Sequence, residues 1–329
     1  MKNILHAFGL SLGAIALVMS TTAQAQAIAA HWPEKSVRVL VPYAAGSTPD
    51  IIARLIFDRV QKDSGGVFVV ENKPGAAGMI GADVVAKAKP DGHTLVLAPA
   101  GPLAVNKLLY KKMPYDPLKD LAPVSLVAET PSVWVTSNKV TESSPVTLLQ
   151  AMRDSRKSMA YASPGAGTLG HLNLAYLVAL SKASDVPHVP YAGSPQIITA
   201  LIADDVQMAA LPPPAVASHI KSGKIKAIAT IGPKRSSALP EVPTLKESGV
   251  DFAPVGWFGV VTTGGTPPGV LAAIHARIAK ALADPALKAT YEAQGLDVAD
   301  KGPAEFGVYI DDEIKRWGPV VQRFGISLD

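Results

Sequence analysis

The sequence predicts an α/β protein of two lobes with a ligand cleft between them. Three observations carry this reading. From Ser36 onward, short β-branched runs alternate with longer amphipathic ones; the alternation forms two separate series; and the C-terminal third consists of long helical runs that need a sheet to cover. The chain has 329 residues, 48% hydrophobic and 18% charged, enough for two medium-sized lobes with substantial cores.

In the first series SVRVLVPY reads as a strand, and TPDIIARLIFDRVQKDSG as a helix with Thr48 as N-cap and Pro49 at the first helical position. That helix places Ile52, Ile56 and Val60 on one face. VFVVEN, GMIGADVVAKAKPDG and HTLVLAP then give strand, helix and strand. After the turn-rich MPYDPLKDLAP, the second series runs through VWVTS, PVTLLQAMRDSRK, SMAYASP, the GTLGHLNLAYLVALSKA helix, PHVPY, the SPQIITALIADD helix, VQMAAL, AVASHIKSG and KIKAIATIG. GWFGVVTT follows, and then two helical runs, PPGVLAAIHARIAKALADPALKATYEAQG and AEFGVYIDDEIKRWGPVVQRFG, with only DVADK between them. These helices find a sheet most economically by returning to the first lobe. SLVAETPSVWV and DFAPVGWFGVV are then two hinge strands crossing between lobes. The expected boundaries are residues 32–129 plus 254–329 for one lobe and 130–253 for the other.

Composition excludes several chemistries. There is no cysteine, hence no thiol nucleophile, thiolate metal site or disulfide. The seven histidines form no HExxH and no close pair in sequence, so neither a metal nor a cofactor is expected. Lys and Arg outnumber Asp and Glu by 31 to 27 without long basic runs, which gives no nucleic-acid footprint. The N-terminal segment, taken as residues 1–25, combines a Lys near the start, an apolar stretch from Phe8 to Met19 and small residues at Ala23 and Ala25 or at Ala25 and Ala27. This reads as a cleavable signal peptide, too short in its apolar part to span a membrane. The mature chain is therefore expected outside the cytoplasm, with no stable membrane anchor and as a monomer.

YASPGAGTLGH contains Gly165, Gly167 and Gly170 in the spacing GxGxxG between a strand and a helix. A dinucleotide loop also needs an acidic residue at the end of the next strand, where this chain has Tyr191, Ala192 and Gly193. The fingerprint is incomplete. What remains is the physics of such turns: backbone N–H groups at the positive end of a helix favour anions. VPYAAGSTPD supplies a matching turn, with Gly46, Ser47 and Thr48 before a helix, and KPGAAGMIG a third. Neither principal loop contains Lys or Arg, so recognition would rest on backbone N–H, Ser47, Thr48, Ser163 and Thr168. Replacing Thr48 or Thr168 with Val is expected to weaken carboxylate binding while leaving folding nearly intact. Bland roles stand beside these: Thr48 and Asp50 suit any helix start, His171 serves equally as a structural hydrogen-bonder, Tyr43 can simply pack, and Trp257 and Phe258 read as hinge packing. Ser163 and His171 lack a GxSxG elbow and a third partner, so no catalytic residue is expected.

VPYAAGSTPDIIAR, VVENKPGAAGMIGADVVAKAKPDGHTL, MPYDPLKDLAPVSLVA, SPGAGTLGHL, HVPYAGS, LPEVPTLKESG and GWFGVVTTGGTPPGV follow one another in order. Together they resemble the Bug-type substrate-binding receptors of tripartite tricarboxylate transporters, over essentially the whole mature chain. The resemblance implies a periplasmic binding protein of the type II plan, closing on a small organic acid and handing it to membrane permease subunits. It also implies a pocket of Tyr43, Gly46, Ser47, Thr48, Asp50, Ala100, Ser163, Gly165, Ala166, Gly167, Thr168, His171 and Tyr191. One departure stands out. Where the family commonly has a strand like VDLMFDN, whose later Asp suits a ligand amine, this chain reads VQMAALP with Leu211. An acid without an amine is expected, either an aliphatic dicarboxylate or an aromatic carboxylate. An exported sensor using the same site, and an enzyme holding a nucleotide on GAGTLG, are the competing readings.

Overall fold

Apolar runs buried on both faces make the centre of each sheet. In the computed structural model, which describes residues 32–154 and 158–324, β1 (Val37–Val41) leaves only Arg38 exposed. It pairs in parallel with β2 (Phe68–Asn72) and β3 (Thr94–Pro99). β10 (Gly256–Thr263) lies antiparallel between β3 and β4 (Leu121–Thr130), and β11 (Asp297–Lys301) closes the edge, giving the order β11-β4-β10-β3-β1-β2. The second sheet has the order β7-β6-β8-β5-β9, from β5 (Ser132–Thr136), β6 (Tyr161–Ser163), β7 (His188–Pro190), β8 (Met208–Leu211) and β9 (Lys226–Ile231). The proposed signal segment lies outside the described residues.

Helices cover both faces of the first sheet. α1 (Thr48–Ser64), α8 (Pro268–Ala283) and α9 (Pro285–Gln294) pack Ile52, Ile56, Ile274, Ile278 and Tyr291 against one face. α2 (Met79–Ala86), a π-turn at Gly101–Val105, α3 (Asn106–Leu109) and α10 (Pro303–Phe324) cover the other with Leu103, Phe306 and Trp317. Around the second sheet lie α4 (Pro145–Ala151), α5 (Leu169–Ser181), α6 (Ser194–Ala203) and α7 (Pro213–Lys221). Two separate clusters, one around Trp134 and Leu177 and one around Val133 and Leu201, form its core.

The chain passes between sheets twice. Pro131 alone separates β4 from β5, and residues 232–255 lead from β9 back to β10. The C-terminal helices therefore return to the first sheet, as their need for cover requires. Three local expectations change. The long run after Thr266 is two helices, because Pro285 cannot continue α8 and Asp284 caps α9 by accepting from the Leu287 N–H at 3.0 Å. DVADK is not a connector but the edge strand β11, paired with β4. Helix α1 takes Ser47 as its N-cap, with Thr48 already helical.

Candidate functional site

The shift of one residue at α1 decides what Thr48 does. Ser47 adopts the extended cap conformation, and its Oγ donates to the Ala44 carbonyl at 2.6 Å instead of capping the helix. Thr48 is only 1% exposed, and its Oγ1 has no partner among the described residues. A buried hydroxyl without a hydrogen bond costs about 1–3 kcal/mol. Asp50 braces the turn from behind. Its carboxylate accepts from the Gly46 N–H at 2.9 Å, from Asn72 Nδ2 at 2.9 Å and from Arg54. Burial alone would raise its pKa, but Arg54, Gly46 and Asn72 outweigh that and hold it below the usual value.

The loop after β6 is organised by two histidines, His171, which is buried, and His188, which is half-buried. The Gly167 N–H donates to His171 Nδ1 at 3.1 Å, so that nitrogen must be unprotonated. Ser163 Oγ lies 2.7 Å from His188 Nε2 and donates to the Gly165 carbonyl at 2.8 Å. Tyr161, His188 and His171 stack behind the turn, the two imidazoles 4.2 Å apart. Burial pushes His171 down to about 4; burial and then the neighbouring His171 push His188 down to about 3. Both are neutral at neutral pH. Thr168 caps α5, its Oγ1 donating to the Gly165 carbonyl at 2.8 Å and accepting from the His171 N–H at 3.4 Å.

The two loops face one cavity, which offers about 70 Å³ to the centres of water-sized occupants; one water needs on the order of 10–15 Å³. Of the residues named from sequence, Tyr43, Ser47, Thr48, Ala100, Thr168 and Leu211 line it. Gly165, Ala166 and Tyr191 line a neighbouring cleft, sharing Tyr43 and Pro164 with the first. Gly46, Asp50, Ser163, Gly167 and His171 line neither and act through the loops they hold. Sequence reasoning missed Thr130, Ser132, Leu169, Gly170, Ser194 and Pro212, and it placed Trp257 and Phe258 in hinge packing although both line the cavity. Ser194 had a signal, since Ser-Pro after YAG marks a helix start. Thr130 and Ser132 had none, because only the crossing of β4 into β5 brings them here.

The cavity wall contains no Lys, Arg, His, Asp or Glu. Instead α1, α5 and α6 point their N-termini at it through Thr48, Gly170 and Ser194, each carrying roughly half a positive charge. The lobes touch around it: the Ala44 N–H donates to the Ala192 carbonyl at 3.2 Å, and Tyr110 Oη to the Ala166 carbonyl at 3.1 Å. Such an arrangement can hold an anion by neutral donors. Among the described residues no group of His, Asp and Glu could hold a metal ion.

The family model described as tripartite tricarboxylate transporter family receptor matches residues 52–326. The chain belongs to this family. Protein BugT of Bordetella pertussis is 33% identical over 320 residues, covering 96% of this chain and 98% of BugT. An R. palustris protein solved with adipate is 29% identical with a TM-score of 0.86, over 90% of this chain and 99% of that one. MatC from Rhodopseudomonas palustris, solved with bound malate, is 28% identical with a TM-score of 0.84, over 88% of this chain and 100% of MatC. The protein is thus a two-lobed periplasmic solute-binding receptor of the tripartite tricarboxylate transporter family. The family is one of receptors rather than enzymes, which removes the nucleotide reading of GAGTLG. No helix among the described residues is long and apolar enough to cross a membrane.

Proposed function

We propose that this receptor captures a small organic acid without an amine, an aliphatic dicarboxylate or an aromatic carboxylate, and delivers it to the permease subunits of a tripartite transporter. It does so as a monomer in the periplasm, after loss of residues 1–25. Residues 32–129 with 254–329, and residues 130–253, are the two lobes that close on the acid.

The observation that carries this reading is the buried, unpartnered hydroxyl of Thr48 at the N-terminus of α1, in a cavity without charged side chains. A carboxylate there would accept from Thr48 Oγ1, from Ser194 and from free backbone N–H groups, with the helix ends favouring its charge. Leu211 in the wall offers nothing to an ammonium group. The adipate and malate found on two relatives are acids of this general kind.

A thermal-shift screen of the chain from Gln26 against mono-, di- and tricarboxylates, aromatic acids and amino acids tests the proposal. A ligand at 100 times its Kd adds about 2.7 kcal/mol, several degrees in Tm. Shifts confined to amine-free acids are expected. Preferential stabilisation by glutamate or aspartate would overturn the exclusion of amines.

A further inference from the structure

Helix α7 starts at the cavity wall, yet its N-terminus differs chemically from the others. Pro212 is its cap and lines the cavity, and Pro213 and Pro214 are its first two residues. Three consecutive prolines have no N–H, and the next amide, Ala215, donates back to the Pro212 carbonyl at 3.0 Å. This helix end therefore presents no free donor where α1, α5 and α6 present theirs. Beside it the wall is Leu211, Trp257 and Phe258.

The hydroxyls on the hinge side are largely committed. Thr130 Oγ1 donates to the Gly295 carbonyl at 3.0 Å, and Ser132 Oγ accepts from Asn173 Nδ2 at 3.3 Å. One proton on Ser132 remains. By contrast, Thr48 and Ser194 sit on helix ends whose preceding turns meet, since the Ala44 N–H donates to the Ala192 carbonyl at 3.2 Å. An ionised carboxylate taken from water needs several hydrogen bonds to offset its desolvation. The clustered α1, α5 and α6 ends can supply them; the Leu211, Pro212, Trp257 and Phe258 wall cannot.

We propose that the ligand carries a single carboxylate, held among the α1, α5 and α6 N-termini, on an apolar branched or aromatic body lying against Leu211, Pro212, Trp257 and Phe258. This rests on the acid-receptor reading and chooses within it.

The test is calorimetric titration of the chain from Gln26 with isovalerate and benzoate, with glutarate and adipate, and with the neutral amides of the two monoacids. At least one monoacid is expected to bind ten times or more tighter than both diacids and than its own amide. In P213A/P214A, which returns two backbone N–H groups to the α7 end, the ratio of glutarate to isovalerate affinity is expected to rise severalfold. Diacids binding as tightly as monoacids, with acids still preferred over amides, would overturn the single-carboxylate inference and leave the receptor reading standing. An unchanged ratio in the proline variant would overturn the role given to the α7 end. Acids binding no better than amides, or no acid binding, would defeat the acid-receptor reading itself and this inference with it.

Discussion

The indole N–H of Trp257 donates to Oε2 of Glu313 at 3.0 Å, joining the cavity wall to helix α10. Glu313 is 1% exposed, and its other oxygen lies 2.6 Å from Arg316 Nη1. Phe306 and Tyr309 meet the indole edge-on, each with ring centroids 5.6 Å away. The ring is thus held on its polar edge and by its neighbours while another part of it lines the cavity.

Glu313→Leu leaves the indole N–H buried without an acceptor, and a loss of about 1–3 kcal/mol is expected. Glu313→Gln keeps an acceptor and should lose clearly less. Urea unfolding followed by tryptophan fluorescence measures both; equal losses would mean that packing, not the hydrogen bond, fixes Trp257.

Thr48 and Thr168 should respond differently to Val. Thr48 Oγ1 makes no bond within the described residues, so Thr48→Val is expected to keep or slightly raise Tm while weakening acid binding by about 1.5–3 kcal/mol, roughly ten- to more than a hundredfold. Thr168 caps α5, so Thr168→Val should lose about 1 kcal/mol of stability as well as distorting the loop. Titration and thermal melts on the same samples separate the two cases.

Closure of the lobes can be weakened without touching the cavity. Tyr110→Phe removes the hydrogen bond to the Ala166 carbonyl, worth about 0.5–1.5 kcal/mol. Affinity should fall about two- to tenfold with Tm of the ligand-free protein little changed. Small-angle scattering without ligand should show a larger radius of gyration than wild type.

Acid should loosen the loop after β6. Both histidines have pKa values lowered from 6.5, to about 4 for His171 and about 3 for His188. The unfolded chain therefore binds more protons as pH falls below 6.5, and stability drops progressively from there down through the folded values. Protonating His171 Nδ1 would also set a donor against the Gly167 N–H. Melts of wild type and His188→Gln between pH 7.5 and 4 should show a shallower decline in the variant. Parallel curves would assign acid sensitivity to the carboxylates instead.

Much of the architecture is written locally. The β-branched runs of β1 and β3, the Ile52, Ile56 and Val60 stripe of α1, and the glycine turns before α1 and α5 are patterns of neighbouring residues, so they are legible without coordinates. The need of the last helices for a sheet likewise implied the chain's return. Edge strand β11 was not legible, because five polar-rich residues become a strand only when β4 offers its free edge.

The candidate site divides along the same line. Sequence alone determined the kind of chemistry: no cysteine, no basic loop, helix starts rich in Gly, Ser and Thr, and Leu211 and three prolines after β8. Only the tertiary structure decided which of these residues share a cavity. It set Asp50, Ser163 and His171 behind the loops, where they hold backbone, and brought Thr130, Ser194, Trp257 and Phe258 into one wall from three distant parts of the chain. The physical reason is that a helix end or hydroxyl is set by its own neighbours, whereas which one stays unpaired and faces a cavity depends on how two sheets and their loops meet.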